Sequence, residues 1–231
     1  MRRFTAALAG ICMLAAACAA NSNTPAPAQR STTSSTPPPP LAVSDLDPLL
    51  LGTDLINTAM GAEGMASADT HSVMVDDTTA VADENCRVAA DPAETSSYTG
   101  SGWTALRDQA FVEKGDKLAH FAAQAVVLFP SANDAAAFFT ASSQRWPACS
   151  NRQYTENQPG KPDQRWTVGP VTNTNGTLST TQTQEGANGW GCGRALTVRN
   201  NVAIDVVACS YTPSNAAVNI AQQIADKVPN H

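Results

Sequence analysis

The stretch GWGCGRALTVRNNVAIDVVACSY, residues 189–211, constrains the fold more tightly than any other part of the chain. Two runs rich in β-branched and apolar residues flank Asn200 and Asn201, and asparagine tolerates the positive φ that a two-residue hairpin turn needs. Such a turn fixes every cross-strand pair by counting outward. Cys192 lies eight residues before Asn200 and Cys209 eight residues after Asn201, so the two cysteines face each other. Counted from the hydrogen-bonded closing pair Arg199 and Val202, they fall in the non-hydrogen-bonded set, where Cα atoms lie about 4.5 Å apart. A disulfide accepts that spacing at the short end of its range.

Six cysteines occur in the chain, and the N-terminal segment sets two of them apart. Met1-Arg2-Arg3, an apolar run over residues 4–17 and the small residues Ala15, Ala16 and Ala17 form the three parts of an export signal, spanning residues 1–17. The apolar run would cover about 21 Å as a helix, short of the roughly 30 Å hydrocarbon layer, so no permanent span is expected. Cys12 leaves with the signal. Small residues followed at once by Cys18 resemble the lipobox of bacterial lipoproteins, although Leu14 sits one place early and Ala15 fills its slot. Cys18 is therefore the expected lipidation site, its acyl chains (palmitate among them) anchoring the protein to the outer face of the cell membrane.

An even number of cysteines in an exported chain reads as a disulfide framework. With Cys192 paired to Cys209, Cys86 is left for Cys149. Metal binding is the competing reading, but there is no C-x-x-C pair and the histidines are only His71, His120 and His231. Neither a metal nor a cofactor is expected.

Cys18 leads into a linker over residues 18–40 that holds six prolines and eight serines or threonines with alanine as its apolar residue. Such a segment cannot bury enough surface to offset its ordering entropy, and it is expected to remain an extended tether. Loss of the signal leaves twelve basic against twenty acidic residues, a formal charge of −8. Without a basic cluster and interleaved aromatics, nucleic acid is not an expected partner.

Residues 41–231 form one domain, long enough for a real core. A helix is expected from Thr53, as N-cap, to a stop at Gly61. Residues 61–85 read as irregular apart from a short strand at residues 73–75, and Asp76, Asp77, Asp83 and Glu84 read as a solvated turn. Residues 103–112 and 118–129, joined by EKGD, form an antiparallel hairpin whose second strand is central because both its faces are apolar. A helix follows, with Ser131 as N-cap and Asp134 three residues on, burying Ala135, Phe138, Phe139 and Ser142. Further strands are expected at residues 165–171 and 177–184 around a TNTNG turn, the second as an edge strand or, failing that, the polar wall of a groove. An amphipathic helix from about Pro213, with Ala217, Ile220, Ala221, Ile224 and Val228 on one stripe, closes the chain. The fold class is α+β: an antiparallel sheet of five or six strands with packed helices and two disulfides.

No catalytic signature emerges. Ser101 is not in G-x-S-x-G, His120 in an apolar strand reads as structural, and GANGWGCG lacks the features of a phosphate loop. Trp103, Trp166 and Trp190 read first as core residues, although aromatic rings also suit ligands. Trp103, Arg107, Gln109 and Gln124 are the candidate ligand-binding residues.

Four stretches, LLLGTDLINTAMG, YTGSGWTALRDQAF, AVVLFPSANDAAAFFTASSQRWPAC and the final hairpin with its helix, together resemble the PknH-like extracellular sensor domain. That family occurs outside the membrane on a mycobacterial serine/threonine kinase and as free-standing mycobacterial lipoproteins. The resemblance covers roughly residues 41–228. It implies an antiparallel sheet with packed helices, two disulfides that agree with the pairing above, and a cleft for a small ligand. No kinase domain or transmembrane span is present in the sequence. The expected function is thus non-enzymatic: a lipid-anchored extracytoplasmic sensor that binds an unidentified small ligand. A cell-envelope interaction module with a protein partner is the alternative, and an enzyme on an unrecognised cleft is the third class.

Overall fold

The computed structural model describes residues 38–113 and 118–229. The signal, Cys18, most of the linker and residues 114–117, which hold the rest of the EKGD turn after Glu113, lie outside the described residues. Nine strands form one sheet: β1 Met65–His71, β2 Ala105–Glu113, β3 His120–Leu128, β4 Gln153–Glu156, β5 Gln164–Val168, β6 Thr172–Thr174, β7 Thr177–Gln184, β8 Gly191–Arg199 and β9 Val202–Ser210. The order is β1-β2-β3-β9-β8-β7-β5-β4, with β6 paired to β7, and all these pairings are antiparallel. The helices are α1 Leu46–Leu49, α2 Thr53–Met60, α3 Glu84–Ala90, α4 Thr95–Tyr98, α5 Ala132–Arg145 and α6 Ala216–Lys227.

The last hairpin carries the register that counting gives it. Asn200 takes φ 48°, and Arg199 pairs with Val202 and Cys192 with Cys209. Their disulfide spans Cα atoms 3.9 Å apart, and a second disulfide joins Cys86 to Cys149 with Cα atoms 4.8 Å apart.

Strands β3, β8 and β9 are buried along nearly their whole length because helices cover both faces. On one face Ala122, Val126, Val202, Ile204 and Val206 pack against α6, α1 and α2 through Ile220, Ile224, Leu46 and Ile56. On the other, Val127, Leu196 and Ala203 pack under α5 with Phe138 and Trp146. Beyond them, towards the cysteine end of the hairpin, that second face carries Cys192, Val207, Cys209, Tyr154 and Trp166.

The sheet is wider than the five or six strands expected, because β1, β4 and β6 show little apolar patterning and owe their conformation to the strand beside them. β1 occupies part of the segment read as irregular; at the expected strand, residues 73–75, there is only an isolated bridge from Val75 to Glu94. The expected TNTNG turn is mostly β6, and the turn itself is the pair Asn175 and Gly176, at φ 51° and 74°. β7 is not an edge: it lies between β8 and β5 and buries Thr177, Leu178, Thr180 and Gln182. Its buried polar groups are satisfied, Thr180 by the Gly169 carbonyl at 3.2 Å and Gln182 by three partners, which makes an interior polar strand affordable. Gly52 rather than Thr53 caps α2, its carbonyl accepting from Leu55 and Ile56. Ser131 caps α5 as expected, its Oγ accepting from the Asp134 N–H at 3.2 Å.

Candidate functional site

Past the end of α5, the second face of the sheet is covered only in part, by α3 through Cys86 and Ala90. A cleft of about 490 Å³ opens there, above the Cys192–Cys209 disulfide, Val207 and Ala90. Alternation along the strands sends Gln164 and Trp166 of β5 and Gln182 and Gln184 of β7 to this side, while Arg165 pairs with Glu185 at 3.2 Å elsewhere.

Each wall is held by hydrogen bonds. The Tyr154 hydroxyl donates to Gln182 Oε1 at 2.6 Å, and Gln182 Nε2 donates to the carbonyls of Ala89 and Ala90 at 3.1 and 3.0 Å. Trp166 Nε1 donates to Glu156 Oε2 at 2.9 Å, and Gln158 Nε2 donates to Glu156 Oε1 at 3.0 Å. Trp190 stands edge-on to Tyr211 with ring centroids 5.2 Å apart. Two glycines place that tryptophan: Gly189 takes φ 90°, and a Cβ on Gly191 would lie 2.7 Å from the Gln182 carbonyl oxygen. Leu118 and Tyr211, large apolar residues nearly half exposed, sit on the rim.

The floor is anchored by an ion pair inside the protein. Arg194 is 1% exposed, with Nη2 2.8 Å from Asp205 Oδ1; its guanidinium donates to the carbonyls of Ala89, Val206 and Asp91. Asp205 Oδ2 accepts from the Ala93 N–H at 3.0 Å and the Tyr98 hydroxyl at 3.1 Å. Sheet, α3 and the segment from Asp91 to Tyr98 are thereby tied at one point.

Acids gather behind the cleft. Asp91 lines it, and its carboxyl is raised above the ordinary range by burial, against the pull of Arg194. Beside it lies Asp77, whose carboxyl is pushed up to about 7 by burial and then by Asp91, Glu94 and Glu156. Asp108 is pushed up to about 6, chiefly by burial. The acids read from sequence as one solvated turn therefore divide: Asp76 stays exposed and bonds Thr78, Asp83 caps α3 and pairs with Arg152 at 2.7 Å, and Asp77 turns inward.

A carboxyl whose folded value is raised binds more protons when folded than when unfolded, so stability is highest at low pH and falls as pH rises through the folded value. For Asp77 and Asp108 that window runs from about pH 4 to about pH 7. Discounted for solvent screening, Asp77 is expected to cost about 1–2 kcal/mol once ionised. Urea denaturation of wild type and Asp77→Asn across this window checks the sign: the variant gains on wild type as pH rises, and a gap that closes instead contradicts the assignment.

The four residues singled out from the sequence lie away from the cleft. Trp103 is half-buried against the core beneath α5, Arg107 pairs with Asp47 at 2.9 Å, and Gln109 accepts from Gln124 and donates to Thr70. Gln124 is buried and holds Leu51 through both its N–H and its carbonyl. Arg107, Gln109 and Gln124 are thus brought near one another on the β2–β3 pair, around the α1–α2 connection. His120 bonds Glu113 at 2.6 Å, and the bond holds the Glu113 carboxyl below its usual range at the end of the hairpin. Trp166 is buried in the core as read from the sequence, with Trp190 packed against the same cluster, and these two are also the tryptophans that line the cleft. Among the described residues no group of His, Cys, Asp and Glu is arranged to hold a metal, and no helix is long and apolar enough to cross a membrane.

Comparison with known proteins bears on this architecture. A family model described as the PknH-like extracellular domain matches residues 41–227. Over 188 residues the chain is 37% identical to serine/threonine-protein kinase PknH of Mycobacterium bovis, which covers 81% of this chain and 31% of the kinase. The Mycobacterium tuberculosis kinase matches at the same identity over 30% of its length. The chain thus spans about a third of the length of these curated relatives. The crystal structure of the extracellular domain of PknH from Mycobacterium tuberculosis matches with a TM-score of 0.78 at 36% identity, over 82% of this chain and 97% of that one. Sheet, helices and sequence agree over the same span, and the chain belongs to the PknH-like extracellular domain family.

Proposed function

We propose that this chain is a lipid-anchored, non-enzymatic sensor that works outside the cytoplasmic membrane and holds a small ligand in the cleft over the Cys192–Cys209 disulfide. The observation that carries this reading is the cleft itself. Its volume of about 490 Å³ falls in the range of small-molecule sites, and it joins aromatic surface to a few fixed polar groups. Hydrogen bonds hold Tyr154, Gln182, Trp166 and Glu156 in place before any ligand arrives, which lowers the ordering cost of binding. The export signal and Cys18 supply the anchor, and two disulfides suit the same compartment.

Thermal unfolding of the full chain against a panel of envelope glycans, amines and short-chain lipids tests the proposal. A ligand at a hundredfold excess over its Kd stabilises the native state by about 2.7 kcal/mol, or roughly 5–10 °C for a domain of this size. The shift is expected in wild type and not in Ala187→Trp, which places an indole in the cleft. An equal shift in both proteins contradicts a cleft site, and silence across the panel favours an envelope protein as partner.

A further inference from the structure

The side chains that line the cleft carry charge of one sign. Asp91 and Glu156 are the ionisable acids that line it, and among the described residues no lysine or arginine does. Glu156 receives its hydrogen bonds from two neutral donors, the Trp166 indole and the Gln158 amide, and among the described residues no lysine or arginine pairs with it. Arg194, the cation behind the floor, is held 2.8 Å from Asp205 and donates to Asp91 only at the backbone carbonyl. A carboxylate in a partly dehydrated recess without a counter-charge favours a ligand that brings one. The walls have matching chemistry: Trp166, Trp190 and Tyr211 present aromatic surface, whose π faces attract ammonium groups and whose apolar area covers the carbon frame around them.

We infer that the cleft takes an organic cation, an ammonium group on an apolar frame seated between Trp166, Trp190 and the Glu156 carboxylate. This rests on the cleft being the ligand site. The amides Gln182 and Gln184 complete the recess and supply hydrogen bonds to any polar substituent on the frame.

Choline and its neutral isostere 3,3-dimethyl-1-butanol differ in charge and hardly in shape, and spermidine adds a longer cation. Tryptophan fluorescence of the full chain reports on the cleft through Trp166 and Trp190. The expected result is a saturable change with at least one of the two cations, at an affinity at least tenfold above that of the neutral alcohol. Glu156→Gln is expected to weaken the cation about tenfold and leave the alcohol unchanged, with its melting temperature measured alongside to exclude misfolding. Equal affinity for cation and alcohol, or a response to the neutral disaccharide maltose with none to either cation, overturns the cation assignment while leaving the cleft as the binding site. No response to these probes in a protein whose panel hits are still lost in Ala187→Trp overturns the cation assignment alone; no response together with a silent panel overturns both.

Discussion

Asp205→Ala is expected to lower the unfolding free energy by about 3–5 kcal/mol, the cost of leaving one partner of a buried ion pair alone. Asp205 is 4% exposed and Arg194 1%, so water cannot replace the lost carboxylate. The substitution also takes the acceptor from the Ala93 N–H and the Tyr98 hydroxyl. Against a usual stability of about 5–15 kcal/mol the loss is large. A double variant, Arg194→Met with Asp205→Leu, removes both charges and fills the space with apolar groups; it is expected to lose less than Asp205→Ala does. Urea denaturation midpoints decide, and a double variant weaker than the single one would contradict the ion-pair explanation.

Cys86→Ala with Cys149→Ala carries the second large effect, about 4 kcal/mol by the chain-entropy model for cysteines 63 residues apart. Cys192→Ala with Cys209→Ala, 17 residues apart, is expected to lose about 3 kcal/mol. The order has a structural reason beyond loop length. Cys192 and Cys209 are already opposed in a hydrogen-bonded hairpin, whereas Cys86 ties α3 to the turn after α5 across the second face of the sheet. Guanidinium denaturation of both double variants checks the ranking, which a larger loss for the hairpin pair would reverse.

The hairpin is legible in the sequence because a two-residue turn converts position into pairing: once Asn200 and Asn201 are the turn, Cys192 and Cys209 have no freedom. The same register holds a second signal, which the reading of motifs passes over. Arg194 and Asp205 are the charges in the interior of two apolar strands, and since Asp205 pairs with Leu196, the two are diagonal neighbours on one face. A buried ion pair follows from that placement.

The cleft is less legible because its residues come from strands whose conformation is set by their neighbours. QYTE of β4 shows little alternation of apolar and polar residues, and TLSTTQTQ of β7 looks like an edge because its buried side chains are polar. The partners that satisfy Gln182, the carbonyls of Ala89 and Ala90, lie about ninety residues away in the chain. Composition does not distinguish Trp103 from Trp166, and only the third dimension separates a ring under α5 from a ring at an open recess.

The chain has four tryptophans: Trp166 and Trp190 line the cleft, and Trp103 and Trp146 pack beneath α5. Indole N–H signals of tryptophan labelled with nitrogen-15, recorded as the full chain is titrated with the glycan, amine and lipid panel, therefore locate the ligand whatever its chemical identity. Saturable movement of the Trp166 and Trp190 signals, with Trp103 and Trp146 unmoved, is the predicted result. Movement of Trp103 or Trp146 while the cleft pair stays fixed would place the ligand elsewhere and contradict the cleft as the binding site.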